Sequence, residues 1–360
     1  MTLVRSFAVC CVVFHSFVVA SAQLSGVNYI VAVRGKVDVQ RPGWSEYLPV
    51  RLGMSLGKDV LLRLDDGSSI TIACADLRIM EVVLPGHSGI PCPVELPTLY
   101  WKHDVVDHPR ASSSRSGTPQ IISPRMTKLL DPNPIIRWAA VPNATSYRVR
   151  VEPGASWSSV VEGKTELQYP GAAPRLLADK AYIVVVAVEK PDRLRGFTSE
   201  ETGTDLGFAI LSTKVGEGIR ETEKRIQILP ISAASKHFLV AALYASSGLR
   251  AEAIAALDLV SDERLGPRAL SMEADLYSEI GLFDIAARRY LAAFDAAAGD
   301  DLDLRASVSD ALSVVYGMMG MGKVPEVRKQ AEVARDAYAR LGDKKGLEKV
   351  AERLRKLPPQ

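Results

Sequence analysis

Tyr244-Ala245-Ser246-Ser247-Gly248-Leu249-Arg250-Ala251-Glu252-Ala253-Ile254-Ala255-Ala256-Leu257 and Tyr277-Ser278-Glu279-Ile280-Gly281-Leu282-Phe283-Asp284-Ile285-Ala286-Ala287-Arg288-Arg289-Tyr290 are the two stretches whose reading decides the fold of this chain. Tyr244, Gly248, Ala253 and Leu257 recur as Tyr277, Gly281, Ala286 and Tyr290, each displaced by 33 positions (277 − 244). A match held at all these positions is the signature of a helical repeat. One helix-turn-helix cannot bury its apolar face alone, so neighbours stack into a small solenoid, whose usual task is to hold another protein. Outward from these stretches the apolar period stays near 3.6. Ile219, Glu223, Ile226 and Leu229 suggest a connecting helix over 213–232, and the repeats occupy 233–358. A third, degenerate unit uses Val315, Gly322, Val327 and Ala334, after a connection lengthened by Gly299-Asp300-Asp301-Leu302-Asp303. Ala337 to Leu354 reads as a final helix pair whose many Lys, Arg and Glu suit a polar cap.

Upstream of Ser212 the period is two. Ile135-Ile136-Arg137-Trp138, Tyr147-Arg148-Val149-Arg150-Val151, Glu166-Leu167-Gln168-Tyr169, Tyr182 to Val188 and Gly207 to Leu211 are strand signals separated by turn-rich segments, which predicts a β-sandwich over 126–212. Residues 94–125 are rich in proline and serine and read as a linker. Before it, 23–93 alternates in short runs such as Tyr29-Ile30-Val31-Ala32-Val33 and Ser69-Ile70-Thr71-Ile72, a small all-β unit. Asp65-Asp66-Gly67 tolerates the positive φ of a tight turn and predicts a hairpin between the flanking strands.

Three resemblances follow from these residues. Val33-Arg34-Gly35-Lys36-Val37, Gly53-Met54-Ser55-Leu56-Gly57-Lys58-Asp59 and Asp66-Gly67-Ser68 resemble the FecR-type domain. That resemblance implies the periplasmic part of a signalling protein, although a leader at the N-terminus with no membrane span after it departs from the arrangement that regulates a sigma factor. Pro134, Trp138, Ala144, Tyr147, Leu177 and Tyr182 are spaced as in a fibronectin type III or related immunoglobulin-like module. The resemblance makes Trp138 and Tyr147 core residues and Tyr182 a corner tyrosine whose hydroxyl bonds the backbone. Tyr244, Gly248, Ala253, Tyr277, Gly281 and Ala286, with the small residues Ala241 and Ala274, resemble tetratricopeptide (TPR) repeats. The expected fold is therefore multidomain, β plus α: a FecR-like β domain, a fibronectin-like sandwich and a TPR-like solenoid.

Residues 1–22 read as a secretory signal, with Arg5 before an apolar run from Phe7 to Ala20 and small residues at Ala20-Ser21-Ala22. Its removal leaves Cys74 and Cys92, an even pair in an oxidising compartment, which reads as a disulfide or as two buried thiols. A bridge between them would stabilise by about 3 kcal/mol in the chain-entropy picture. Formal net charge is +2, falling to +1 without Arg5 (43 basic less 42 acidic), which argues against nucleic acid or an anionic membrane surface as partner. No later stretch is long and apolar enough for a membrane span.

Chemistry-bearing patterns are sparse. Gly317-Met318-Met319-Gly320-Met321-Gly322-Lys323 has the spacing of a phosphate loop, but Val324 stands where a hydroxyl should hold Mg²⁺ and a helical run precedes it, so it reads as a turn between helices. His103-Asp104-Val105-Val106-Asp107-His108 gathers four metal-ligand types in a proline-rich segment without a rigid scaffold. The acids Asp300, Asp301 and Asp303 read as a helix-capping, solvating loop, with partner contact as the alternative. No catalytic residue, cofactor or metal site is assigned. The expected function is an exported, non-enzymatic scaffold or assembly factor, periplasmic or secreted, that binds another envelope protein or peptide through its repeats. Tyr244, Gly248, Ala253, Leu257, Tyr277, Gly281, Ala286 and Tyr290 are the repeat markers and the candidate partner groove. The alternative is a glycan-binding, ligand-binding or sensing module that uses the β domains or the aromatics Tyr100 and Trp101.

Overall fold

The computed structural model describes residues 27–57, 59–92, 118–153, 157–189 and 206–358. Residues 1–22, read as a secretory signal, the ligand-type cluster His103 to His108, and Tyr100 and Trp101 lie outside the described residues. The chain forms two β units followed by a run of helices.

The first unit holds β1 (Asn28–Arg34), β2 (Val37–Gln40), β3 (Leu48–Pro49), β4 (Ser55–Leu56), β5 (Leu61–Leu64), β6 (Ser69–Ala73), β7 (Ile79–Val82) and β8 (Gly86–Ser88). They form two antiparallel four-stranded sheets, ordered β4-β1-β6-β7 and β3-β2-β5-β8. Alternation works as period-two physics requires: Val39, Leu62, Ile70 and Ile72 are fully buried. The Asp65-Asp66-Gly67 turn forms, with the Ser68 N–H donating to the Asp65 carbonyl (3.1 Å) and Gly67 at φ 74°. It is not a hairpin, however. β5 pairs with β2 and β8, whereas β6 pairs with β1 and β7, so the turn carries the chain from one sheet to the other. The reason lies at Gly35, where β1 makes the same crossing into β2. A Cβ there would sit 2.4 Å from Ser68 Oγ, and that hydroxyl accepts the Lys36 N–H (2.9 Å), so the two crossings interlock. Cys74 and Cys92 are bonded as a disulfide that ties the end of β6 to the segment after β8.

The second unit holds β9 (Ile121–Ser123), β10 (Thr127–Leu129), β11 (Ile135–Trp138), β12 (Ser146–Glu152), β13 (Ser158–Glu162), β14 (Glu166–Gln168), β15 (Ala181–Val188) and β16 (Phe208–Ile210). A five-stranded sheet, β10-β16-β15-β12-β13, faces a three-stranded one, β14-β11-β9. Their core contains Ile136, Trp138, Tyr147, Val149, Tyr169 and Val186, with Trp138 edge-on to Tyr147 at 5.4 Å. The Leu177 N–H donates to the Tyr182 hydroxyl (2.8 Å), fixing the turn before β15. β9 lies inside the span read as linker; its brief apolar run gives too little alternation to register as a strand, and it forms because β11 pairs with it.

The helices are α1 (Thr213–Gln227), α2 (Ala233–Ser246), α3 (Arg250–Leu257), α4 (Gly266–Glu279), α5 (Phe283–Ala296), α6 (Leu302–Met318), α7 (Val324–Leu341) and α8 (Lys344–Lys356). After α1 come three hairpins, α2/α3, α4/α5 and α6/α7, and a terminal helix. The repeated Tyr-x-x-x-Gly sets how the first two hairpins turn. Gly248 and Gly281 take φ 76° and 75°, the next N–H (Leu249, Leu282) donates to the tyrosine carbonyl at 2.9 Å in both, and the glycine N–H donates three residues back at 3.0 Å. This is the paired-bond helix stop that a left-handed glycine allows.

The first β unit and the helices share one apolar core rather than meeting as separate bodies: Tyr29, Ile30 and Val31 are continuous with Phe238, Leu239, Leu265 and Leu276. Tyr29 stands edge-on to Phe238 at 5.4 Å, and the Ser235 hydroxyl donates to the Val31 carbonyl (2.9 Å). At Gly53, with φ 73°, a Cβ would approach Leu265 Cδ1 to 2.6 Å, and at Gly342, with φ 74°, it would meet Ser45 N at 2.9 Å. The Ser45 N–H donates to the Leu341 carbonyl (2.9 Å). The second β unit is held as closely: Lys128 N–H donates to the Gly248 carbonyl (2.9 Å), Leu130 N–H to Glu252 Oε1 (2.9 Å), and Arg125 Nε to the Ile280 carbonyl (2.7 Å).

Candidate functional site

The repeat markers do not form an open groove. Ala253, Leu257, Tyr277, Ala286 and Tyr290 are buried, Gly248 and Gly281 sit in the turns, and Tyr244 is half-buried with its hydroxyl donating to Glu223 Oε2 (2.8 Å). Hairpins of this size have little apolar surface to spare, so the aromatic positions that define the repeat are consumed by the interior of the array. They sit in the interior of the array and its turns, with Tyr277 also lining a small opening beside Arg125 and Ile254. Gly322, read as the turn of the third unit, falls in a short 3-10 turn (Met321–Lys323), and α6 ends instead before Gly320 at φ 105°. In the phosphate-loop-like segment, Lys323 pairs with Glu326 at 2.9 Å. Among the described residues, no group of three or more His, Cys, Asp or Glu is placed to hold a metal ion.

One opening among the described residues lies along the seam. A cleft of about 250 Å³ is bounded by Val27, Tyr29, Gly53 and Ser55 of the first β unit, by Phe238 and Ala245 of α2, by Arg268, Ser271, Met272, Asp275, Leu276 and Glu279 of α4, and by Leu304 and Ser307 of α6. The first helix of each of the three hairpins therefore contributes to one wall. Ser271, Asp275 and Glu279 recur at four-residue spacing and make a polar stripe along α4, while Phe238, Met272 and Leu276 give an apolar floor.

The charges around the cleft are ordered. Arg268 donates to Asp301 (2.8 Å) and Asp303 (3.1 Å), Arg41 of the first β unit pairs with Asp303 (3.2 Å), and Arg51 holds Asp300 (2.6 Å). Burial works to raise the Asp303 carboxyl, but the guanidiniums of Arg41 and Arg268 outweigh it and hold it below the ordinary carboxylate range. The acidic insert is thus the latch of the seam, and its alternative role as contact for a foreign partner is filled by the chain's own β unit. Glu279 pairs with Arg250 at 2.8 Å. Asp275 accepts a hydrogen bond from the Tyr290 hydroxyl. Burial first, and the Asp275 charge second, raise the hydroxyl pKa values of both Tyr29 and Tyr290.

The chain matches no protein-family model and no curated protein. Among solved structures it is similar to BtubC (BKLC) from P. vanneervenii at 22% identity and TM-score 0.29, covering 38% of this chain and 59% of that one. Nearly identical TPR-like repeats from Podosopora anserina align at 13% identity and TM-score 0.25, over 39% of this chain and 86% of theirs. A TPR-domain containing protein from Parabacteroides distasonis aligns over 92% of this chain and 59% of its own length, at 13% identity and TM-score 0.27. At these scores the reading of the helical array rests on its own helices and turns.

Of the cleft residues, Tyr29, Gly53 and Ser55 entered the sequence reading as strand and turn signals, and none as a binding residue. The four-residue stripe Ser271, Asp275, Glu279 was the available signal; what hid it is that its other wall comes from residues more than two hundred positions upstream.

Proposed function

We propose that this chain is an exported, non-enzymatic scaffold or assembly factor, periplasmic or secreted, whose helical array holds another envelope protein or peptide. The observation that carries the reading is the cleft to which the first helices of three successive hairpins and the first β unit all contribute. Such a concave, mixed surface suits an extended segment, with apolar contacts for affinity and a few placed polar groups for orientation. Export fits the Cys74–Cys92 disulfide, and among the described residues no helix is long and apolar enough to cross a membrane. The FecR-type and fibronectin-type resemblances of the β units suit modules that position the array in the envelope.

A photo-reactive residue placed at Ser271, in the cleft, and separately at Val160, on the exposed face of β13, tests the reading in the envelope fraction. A defined protein crosslinked from Ser271 and not from Val160 supports it. Crosslinks from Val160 alone, or retention of glycan with no protein, contradict it and favour binding through the β units.

A further inference from the structure

We infer that a second opening, between the second β unit and the start of α1, is a binding site for a small carboxylate carried on an apolar body. It shares no lining residue with the seam cleft, so it goes beyond the scaffold reading and stands apart from it. The opening holds about 220 Å³ and is walled by Leu130 and Pro132, by Arg175 to Ala178, by Ile210 to Thr213, and by Gly216 and Arg220. Both charged residues of that wall are arginine. Among the described residues no carboxylate lines it, although Asp131, Asp179 and Glu217 are chain neighbours of the lining, and Asp131 is engaged in its own turn, where it accepts the Asn133 N–H (2.8 Å).

The two guanidiniums are held differently and complement each other. Nη2 of Arg220 donates to the Leu130 carbonyl (2.9 Å), which fixes that fork against the wall, and its Nε and Nη1 make no hydrogen bond among the described residues. Arg175 has neither a hydrogen bond nor an ion pair among the described residues, yet its backbone is pinned on both sides. The Tyr169 hydroxyl donates to the Pro174 carbonyl (2.7 Å), and the Leu177 N–H donates to the Tyr182 hydroxyl (2.8 Å). Two like charges facing one cavity repel, and an anion between them relieves that repulsion. The planar guanidinium fork matches a carboxylate in particular. Leu130, Leu177 and Ile210 supply apolar wall, which suits a hydrocarbon body and not a bare phosphate, whose oxygens all need donors. Size agrees: at about 30 Å³ for each water-sized group, roughly seven such groups fill the space, a carboxylate with a short carbon chain.

The probes are hexanoate, N-acetyl-leucine and N-acetyl-leucinamide, titrated against the full chain by saturation-transfer NMR, with inorganic phosphate as competitor. Ligands of this size bind in the range of about 1 mM. At least one of the two acids is expected to bind there, at least tenfold more tightly than the amide, and phosphate at matched concentration does not displace it. Binding of both acids marks a small apolar acid as the ligand, and binding of N-acetyl-leucine alone marks the carboxylate end of a peptide; either supports the site. Arg175→Gln weakens binding at least fivefold, and Ala178→Glu, which places a resident carboxylate in the wall, abolishes it. Both positions are exposed, so both variants keep the wild-type melting temperature. Failure of both acids to bind, equal binding of the amide, displacement by phosphate, or binding indifferent to both variants overturns the site. None of these outcomes touches the crosslink from Ser271, so the scaffold reading and this one fail separately.

Discussion

Glu252 shows how one side chain ties the second β unit to the array. Its Oε1 accepts the Leu130 N–H while Oε2 is buried without a hydrogen-bond partner among the described residues, and burial, against the pull of that bond, raises its pKa to about 7. The folded state therefore binds this proton more tightly than the unfolded chain, whose glutamates titrate near 4.3. The stability it contributes is complete below that value and is lost as pH rises through about 7. Glu273, raised to about 7 chiefly by burial, acts in the same direction. Glu252→Gln should therefore stabilise the protein at pH 8, by about 1 to 2 kcal/mol after allowing for residual hydration, and approach parity at pH 5. Denaturant titrations at the two pH values check this; an equal effect at both would show that the carboxylate is not perturbed. Neither the burial nor the bond to Leu130 is legible in the repeat, where position 252 reads as an ordinary exposed helix residue.

At the scale of elements, local conformation was legible and membership was not. Asp65-Asp66-Gly67 announces a turn because aspartate and glycine tolerate its angles, yet nothing in those residues says which sheet receives the next strand. Tyr244-Gly248 and Tyr277-Gly281 announce two helix stops. A further stop of the same kind, in which the Asp343 N–H donates to the Tyr338 carbonyl (3.0 Å) beside Gly342, went unread because it ends the second helix of its hairpin rather than the first. The acidic insert was legible as a cap, and Asp301 does accept the Leu304 N–H at 3.2 Å. Its second role separates neighbours that look alike in sequence. Asp301 is 7% exposed and pairs with Arg268, whose side chain is 12% exposed, so Asp301→Ala removes a cap and half of a largely buried pair and should cost about 3 kcal/mol. Asp300, with a side chain 59% exposed, pairs with Arg51 at the surface, and Asp300→Ala should cost no more than about 1 kcal/mol. Equal costs would remove the distinction between the buried pair and the surface pair.

The molecule as a whole departs furthest from the sequence reading. Three separable parts follow naturally from changes of period, but a shared core is a property of faces, and the face of β1 that meets Phe238 carries the same alternation as one that meets its own sheet. A unit seated through a common core unfolds with its seat. Trp44 of the first β unit lies against Arg41, itself bonded to Asp303 of α6, so its fluorescence reports the seam. In a version that keeps Trp44 as the single tryptophan, its transition in denaturant should coincide with the loss of helical circular dichroism. An earlier fluorescence transition would mean that the β unit comes away alone.

Hydrogen exchange of the full chain, alone and with the protein crosslinked from Ser271, is the most direct test of the claim that the seam cleft is the docking site. Added protection is predicted in α4 around Ser271 to Glu279 and in α6 around Leu304 to Ser307, with little change in β12 and β13. Protection confined to the strands of the second β unit, or none in α4, would contradict the account.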